Sequence, residues 1–175
     1  MTTTNLFELI KSYTELPGPG GDEWIVQDFV QKRWRPHVQT MTQTPVGNVI
    51  AHVGGEGPRL MLAAHADEIC FVVKYIDDNG FVWIASGQRD PEQRAMSQPT
   101  WNDIFLDVGA SSRAEVEDQG IQIGDRVIWN PPTRRMGDFV YGKAMDDRVG
   151  LAIMERLLVE VDRERLAYEL LFVST

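Results

Sequence analysis

Apolar residues near the amino terminus recur at helical spacing in two segments. Asn5 is suited to cap the first of these helices, which we expect to end near Leu16. Asp22 is suited to cap the second helix, and Pro36 would stop it. The segment 17–21, rich in proline and glycine, lies between them. Its glycines could bring backbone close to a ligand, although a plain connector between helices is the simpler interpretation.

The centre of the chain alternates between short apolar runs and turn residues, a pattern that predicts strands. Two strands are expected at residues 38–42 and 48–53. The run Leu60–Ala64 is wholly apolar and follows a glycine-rich turn, so we expect a central strand that is covered on both faces. Asn79 and Gly80 favour a tight turn, which predicts a hairpin between residues 69–76 and 81–85.

The next part of the chain is less regular. Ser86 to Asn102 is polar and lacks periodicity, as expected for a mobile loop or for what remains after a deletion. Beyond it we expect a strand at 103–108, a short helix capped by Ser112, and a strand at 121–129.

This order of elements predicts an α/β fold in which a second unit is inserted. Residues 1–69 and 139–175 would form an α/β domain, and residues 70–138 a smaller β-rich unit. Leu170–Val173 is expected to be a strand that leaves an open, apolar edge.

The apolar run at Leu60 breaks abruptly into His65, Asp67 and Glu68. In open α/β sheets the carboxyl ends of strands are where ligands bind. An imidazole there can offer one ring nitrogen to a metal while Asp67 orients the ring. A histidine that is satisfied by a loop hydrogen bond is the alternative.

Asp146 and Asp147 lie where a loop meets a helix of clear apolar spacing. One aspartate would suffice as a helix cap. A pair is suited to a metal site, in which Asp146 bridges two cations and Asp147 holds the turn. The spacing from His65 forms no short ligand signature, so only the fold can bring these residues together.

Composition narrows the class of protein. The chain has 175 residues, 43% hydrophobic and 25% charged, which indicates an ordinary globular protein. Its net charge of -9 argues against a nucleic-acid partner. Cys70 is the only cysteine, and nothing in the sequence looks like a signal peptide or a membrane span. A cytoplasmic protein without a membrane partner is therefore expected.

Three blocks together resemble a family of dinuclear-metal aminopeptidases that includes glutamyl aminopeptidase, deblocking aminopeptidase and the tetrahedral peptidases. The blocks are LAAHADEI at 62–69, DIFLDVGASS at 103–112 and GKAMDDRVG at 142–150. The resemblance implies a zinc-peptidase-like catalytic domain interrupted by a dimerisation domain. It also implies two divalent ions, zinc or cobalt, short peptides as substrates, and a homo-oligomer.

The resemblance also implies roles for single residues. His65 would bind one metal and Asp146 would bridge both. Asp67 would be the catalytic-site residue that supports His65, and Asp147 would support the bridging aspartate.

Two departures from the family pattern limit these expectations. The inserted unit is short, with the loss in Ser86 to Asn102, which puts normal assembly in doubt. After Thr175 the family would bring a Glu-Glu pair with the general base, so we expect the amino-terminal half of an enzyme, with no general base in this chain. Such a chain would bind metal at most weakly and would be inactive alone.

Other functions stay open at this point. One is a non-catalytic remnant that binds peptides or assembles with other subunits. A metal-dependent deacylase or a glycosidase is a weaker alternative, because carboxylates can serve sugar chemistry. The carboxylates concerned are Asp67, Glu68, Asp146 and Asp147. The sequence leaves open the preferred substrate residue and the native metal.

Overall fold

The computed structural model of the chain describes residues 5–86 and 103–175. The chain divides into two compact units. The first comprises the chain up to Glu68 together with Asn130–Thr175, and the second is Ile69–Trp129. Helices and strands occur in both, so the α/β class is confirmed. The loop predicted at Ser86 to Asn102 lies outside the described residues, except for Ser86 itself.

The elements are numbered in chain order. The helices are α1 (Leu6–Thr14), α2 (Trp24–Trp34), α3 (Arg113–Asp118) and α4 (Met145–Glu160). The strands are β1 (Thr40–Gln43), β2 (Val49–Gly54), β3 (Arg59–Ala64), β4 (Cys70–Ile76), β5 (Phe81–Ser86), β6 (Phe105–Asp107), β7 (Arg126–Ile128), β8 (Arg134–Met136), β9 (Phe139–Tyr141) and β10 (Glu169–Ser174). No helix in the described ranges is both long and apolar enough to cross a membrane.

The first two helices begin differently from each other. Asn5 caps α1, because its side chain accepts a hydrogen bond from the Phe7 amide at 3.0 Å. The predicted cap at Asp22 is wrong, since α2 begins at Trp24 and follows Glu23. Asp22 lies in a turn instead, where its amide donates to the Pro19 carbonyl at 2.8 Å.

The first unit is built on a sheet with the strand order β1-β2-β10-β3. β10 is antiparallel to β2 and parallel to β3. The open edge expected at Leu170–Val173 is therefore wrong, because this strand is paired on both sides. β3 was expected to be central and covered on both faces, but it lies at an edge of the described sheet. Leu60 and Met61 there are 42% and 62% exposed.

A buried polar network joins three helices of the first unit. The Tyr13 hydroxyl of α1 donates to Glu155 Oε2 of α4 at 2.6 Å and accepts from Trp34 Nε1 of α2 at 3.1 Å. Arg33 pairs with the same carboxylate. The network fixes the helices against the apolar core, whose largest members include Trp34, Phe172 and Leu151.

The second unit has an antiparallel sheet with the order β6-β5-β4-β7. The predicted hairpin is confirmed as β4–β5, with Gly80 at φ 86° in its turn. Ser112 caps α3 as predicted, since its hydroxyl accepts from the Glu115 amide at 3.3 Å. Val73, Ile76 and Val116 belong to a small separate core.

Candidate metal centre and active site

His65 and Asp146 meet at one end of the first unit. His65 is the first residue after β3, and Asp146 lies at the start of α4. Asp146 and Asp147 have non-helical backbone angles and the peptide bond between them is cis. The imidazole Nε2 of His65 is 3.1 Å from Asp146 Oδ1. Residues 81 positions apart in the chain thus share one site at the carboxyl end of β3.

Asp67 and Asp147, the other two aspartates of the site, contact different residues. Asp67 Oδ1 is 2.9 Å from His65 Nδ1, an ion-pair distance without the alignment of a hydrogen bond. Asp147 Oδ1 accepts from the Gly150 amide at 3.2 Å, so it caps the regular part of α4. Gly150 also allows a close approach to β3, because a Cβ there would meet Ala64 Cβ at 2.8 Å.

The geometry of His65 and Asp146 suits two ligands of one divalent ion. Two donors that are each about 2.1 Å from one tetrahedral ion are separated by about 3.4 Å. The observed 3.1 Å is near that separation and is also the distance of a hydrogen bond. The Asp146 side chain is 95% exposed, which leaves its second oxygen open to another cation. Within residues 5–86 and 103–175, however, no three His, Cys, Asp or Glu side chains are placed to hold one ion.

Glu68, Lys143 and Arg148 form a buried ionic cluster beside this site. The Lys143 ammonium donates to both Glu68 oxygens at 2.8 and 3.0 Å, and Arg148 Nη2 donates to Oε1 at 3.3 Å. The three residues are 5%, 7% and 0% exposed, respectively. Lys143 and Arg148 had no predicted role from the sequence alone. The available signal was their position, since all three residues lie inside the blocks that contain His65 and Asp146.

Arg148, in the first turn of α4, donates to backbone carbonyls of two segments, the end of α1 with the loop that follows it and the loop after β3. Its Nε donates to the Ala66 carbonyl at 2.8 Å, immediately after His65. Its two Nη atoms donate to the carbonyls of Tyr13, Leu16 and Gly18. Burial lowers the pKa of the Arg148 guanidinium, and the Glu68 carboxylate opposes that shift. The side chain therefore holds the loops through hydrogen bonds of a desolvated cation.

Magnitudes indicate which contacts place the site. The contact between His65 and Asp146 is exposed, and exposed ion pairs contribute about 0–1 kcal/mol. A buried hydrogen bond to a charged group contributes about 1.5–3 kcal/mol, and Glu68, Lys143 and Arg148 make several. The hydrogen bonds of the buried cluster therefore contribute more to the stability of the backbone around His65 and Asp146 than the contact between these two side chains does.

The loop at residues 17–21 borders the site, so its interpretation as a plain connector is incomplete. Gly18 and Glu68 are linked twice, since each amide donates to an oxygen of the other residue, at 2.9 and 3.0 Å. A Cβ at Gly18 would meet Arg148 Nη2 at 2.5 Å, so the close approach requires glycine. A Cβ at Gly20 would lie 3.9 Å from Asp67 Oδ2.

Comparisons with known proteins agree with the expected family and fold. A family model described as M42 glutamyl aminopeptidase matches residues 47–87 and 84–175. A lysyl aminopeptidase from Pyrococcus furiosus is 29% identical over 85% of this chain and 53% of its own length. The structure of an aminopeptidase from the archaeon Desulfurococcus kamchatkensis, 29% identical, gives a TM-score of 0.85 over 97% of this chain and 55% of its own.

An endoglucanase from Thermotoga maritima also has a similar structure. It is 28% identical, with a TM-score of 0.81 over 95% of this chain and 58% of its own. The chain therefore spans between half and three fifths of the length of these three proteins. That share confirms the predicted partial catalytic domain.

Proposed function

Because the chain belongs to the M42 glutamyl aminopeptidase family, we propose that it is part of a metal-dependent aminopeptidase that releases amino-terminal residues from short peptides. The observation that carries the proposal is the 3.1 Å contact of His65 Nε2 with Asp146 Oδ1 at the carboxyl end of β3. A nitrogen and an oxygen donor of metal-ligand type, brought together from positions 81 residues apart, support a metal site at this end of β3.

The proposal gives each side chain a task. His65 and Asp146 hold divalent ions, for which zinc or cobalt is suited by the nitrogen and oxygen donors. Asp67 keeps the imidazole oriented, and Asp147 keeps the start of α4 in place. A bound ion would lower the pKa of water and polarise the substrate carbonyl. Two ions per active site and the role of Asp146 as a bridge are part of this proposal.

The proposal also covers the oligomeric state and the cellular location of the whole protein. The whole protein is proposed to act as a homo-oligomer. Its dimerisation domain would be the β-rich inserted unit, which the sequence predicts at residues 70–138 and which corresponds to the second unit, Ile69–Trp129. Light scattering on the purified chain tests this assembly. A cytoplasmic location stays a prediction from the sequence.

A glycosidase is the second candidate, because one structural relative is named an endoglucanase. Sugar hydrolysis by the usual route needs a pair of carboxylates and leaves a histidine ligand without a use. The contact of His65 with Asp146 therefore favours the peptidase.

Cobalt binding tests the metal site directly. The 175-residue chain should bind Co²⁺ weakly, because it supplies two described donors where a catalytic zinc usually takes three. His65→Ala and Asp146→Asn should abolish this binding. His52→Ala is the matched control, since His52 lies in β2 and contacts Glu169 at 3.5 Å. Equal Co²⁺ binding by the chain and by His65→Ala would contradict the proposal.

A long incubation with substrates tests the chemistry. We expect the chain alone to hydrolyse aminoacyl-nitroanilides at a trace rate at most, with any turnover removed by a chelator and by His65→Ala. Carboxymethylcellulose should remain intact. Chelator-sensitive cleavage of the cellulose would favour the glycosidase, and fast nitroanilide turnover would show that two protein ligands suffice.

A further inference from the structure

We propose that Glu68, Lys143 and Arg148 are positioning residues, which set the separation of His65 and Asp146 and thereby the metal affinity of that pair. The inference rests on the function proposed above. None of the three touches the reacting groups, so each would act through backbone that it holds.

The cluster binds the two segments that carry the metal donors. Arg148 holds the carbonyl of Ala66, one residue after His65, at 2.8 Å. The Ala66 amide is also fixed, because it donates to the Thr175 carbonyl at 2.7 Å. Glu68 then anchors the end of the same segment through its carboxylate. Segment 65–68 is thus held on both sides of the Ala66 peptide.

The partners of this segment come from residues on either side of Asp146, at the start of α4 and just before it. Lys143 precedes Asp146 by three residues, and Arg148 follows it by two. Both side chains converge on the same oxygen, Glu68 Oε1, at 2.8 and 3.3 Å. One carboxylate therefore clamps residues 143–148 to residues 65–68, and the distance between the donors follows from that clamp.

The cluster also holds a third segment, residues 16–18. The Lys143 ammonium donates to the Leu16 carbonyl at 2.8 Å, and the Gly18 amide donates to Glu68 Oε1 at 3.0 Å. All three hydrogens of the ammonium are thereby used. Loss of Lys143 would remove one of the two donors to the Leu16 carbonyl and one of the two cations that contact Glu68, while Arg148 still neutralises the carboxylate.

Lys143→Met is the variant that tests the inference. Methionine matches the length of the lysine stem and removes the charge, so Glu68 keeps one buried partner. Removing a group that is hydrogen-bonded to a metal ligand typically weakens metal affinity about 10- to 100-fold. Lys143 acts through Glu68 and backbone instead, so we expect a loss of Co²⁺ affinity near the lower end, about 10-fold. In the metal-free chain the imidazole NMR signals of His65, assigned with His65→Ala, should shift. Lys143→Arg keeps the charge and should restore both properties.

Glu155→Gln is the matched control for a purely structural role. It weakens another ion pair on α4, two turns from Arg148, in which Glu155 is buried and its partner Arg33 is 37% exposed. It should lower the urea midpoint but leave the His65 signals and the Co²⁺ affinity unchanged. Should Lys143→Met fail to fold, Arg148→Lys carries the same expectation, because lysine reaches fewer of the loop carbonyls.

The outcomes separate this inference from the proposed function. Unshifted His65 signals in a folded Lys143→Met variant would overturn the positioning role, as would equal shifts in Glu155→Gln. If the unmodified chain binds Co²⁺ no better than His65→Ala, the proposed metal site fails. The imidazole signals, which need no metal, would still decide whether Lys143 positions His65.

Discussion

Tyr13→Phe removes the hydroxyl group from the buried network of the first unit, while the aromatic ring still fills its place in the core. Tyr13 and Trp34 are fully buried. The lost hydroxyl donates to Glu155 Oε2 at 2.6 Å and accepts from Trp34 Nε1 at 3.1 Å. Arg33 Nε keeps its own 2.9 Å contact with the same carboxylate oxygen. The substitution therefore tests two hydrogen bonds without removing the ion pair.

The expected loss follows from those two bonds. A hydrogen bond to a charged group contributes about 1.5–3 kcal/mol, and a buried donor without an acceptor costs about 1–3 kcal/mol. We expect the free energy of unfolding to fall by about 3 kcal/mol, near the lower part of the sum, because the indole of Trp34 can relax. Urea denaturation measures the change. Tyr168→Phe is the control, since Tyr168 is 49% exposed and should change stability by less than about 0.5 kcal/mol.

The buried hydroxyl of Tyr13 also predicts that the free energy of unfolding falls with pH in the alkaline range. Burial raises the pKa of Tyr13 above the ordinary range, and the Glu155 charge raises it further. The folded state then keeps a proton that the unfolded state releases near its ordinary pKa of about 10. This contribution is complete below about pH 10 and falls by about 1.4 kcal/mol per pH unit above it. Tyr13→Phe should lack that slope. Equal slopes in both proteins, or a stability loss under about 1 kcal/mol at pH 7, would refute the reasoning.

Two further substitutions test the loop beside the site and the cap in the second unit. Gly18→Ala should lower the free energy of unfolding by about 1–3 kcal/mol, because the new Cβ would meet Arg148 Nη2 at 2.5 Å. Gly20→Ala has ordinary space and should be near neutral, so equal losses in urea denaturation would contradict the close approach at Gly18. Ser112→Ala should cost about 1 kcal/mol through loss of the α3 cap, and an unchanged thermal midpoint of the second unit would show that the cap does not matter.

Local sequence sufficed to predict where many elements begin and end. The abrupt change from Ala64 to His65 marks the end of β3, and Ser112 marks the start of α3. These predictions succeed because a strand end or a helix cap depends on a few neighbouring residues. The β8–β9 hairpin was missed, since its three-residue strands are too short to show an alternating pattern.

Strand order could not be predicted in the same way. The run Leu60–Ala64 and the run Leu170–Val173 are both apolar, yet β3 lies at an edge of the described sheet and β10 lies inside it. Apolar composition predicts burial on the faces of a sheet, whereas edge position depends on hydrogen bonding to distant segments. We expected β3 to be central and β10 to be at an edge, and the structure shows the reverse.

The buried cluster was missed for a related reason. Lysine, arginine and glutamate are almost never fully buried unless they are paired, and the pairing of Glu68 with Lys143 and Arg148 joins positions 75 and 80 residues apart. A single charged residue in a sequence does not show whether its partner will be another side chain or water. Burial of this kind can be inferred only when the fold has brought the partners together.

The candidate site has one rigid side and one open side. Below it, Arg148 and Glu68 are buried and hydrogen-bonded to the loops that carry the donors. Above it, the His65 and Asp146 side chains are 40% and 95% exposed. If an ion binds at the proposed site, backbone that is held from below would lose little conformational entropy. The number of protein donors would then limit the metal affinity, because two ligands leave most positions around a divalent ion to water.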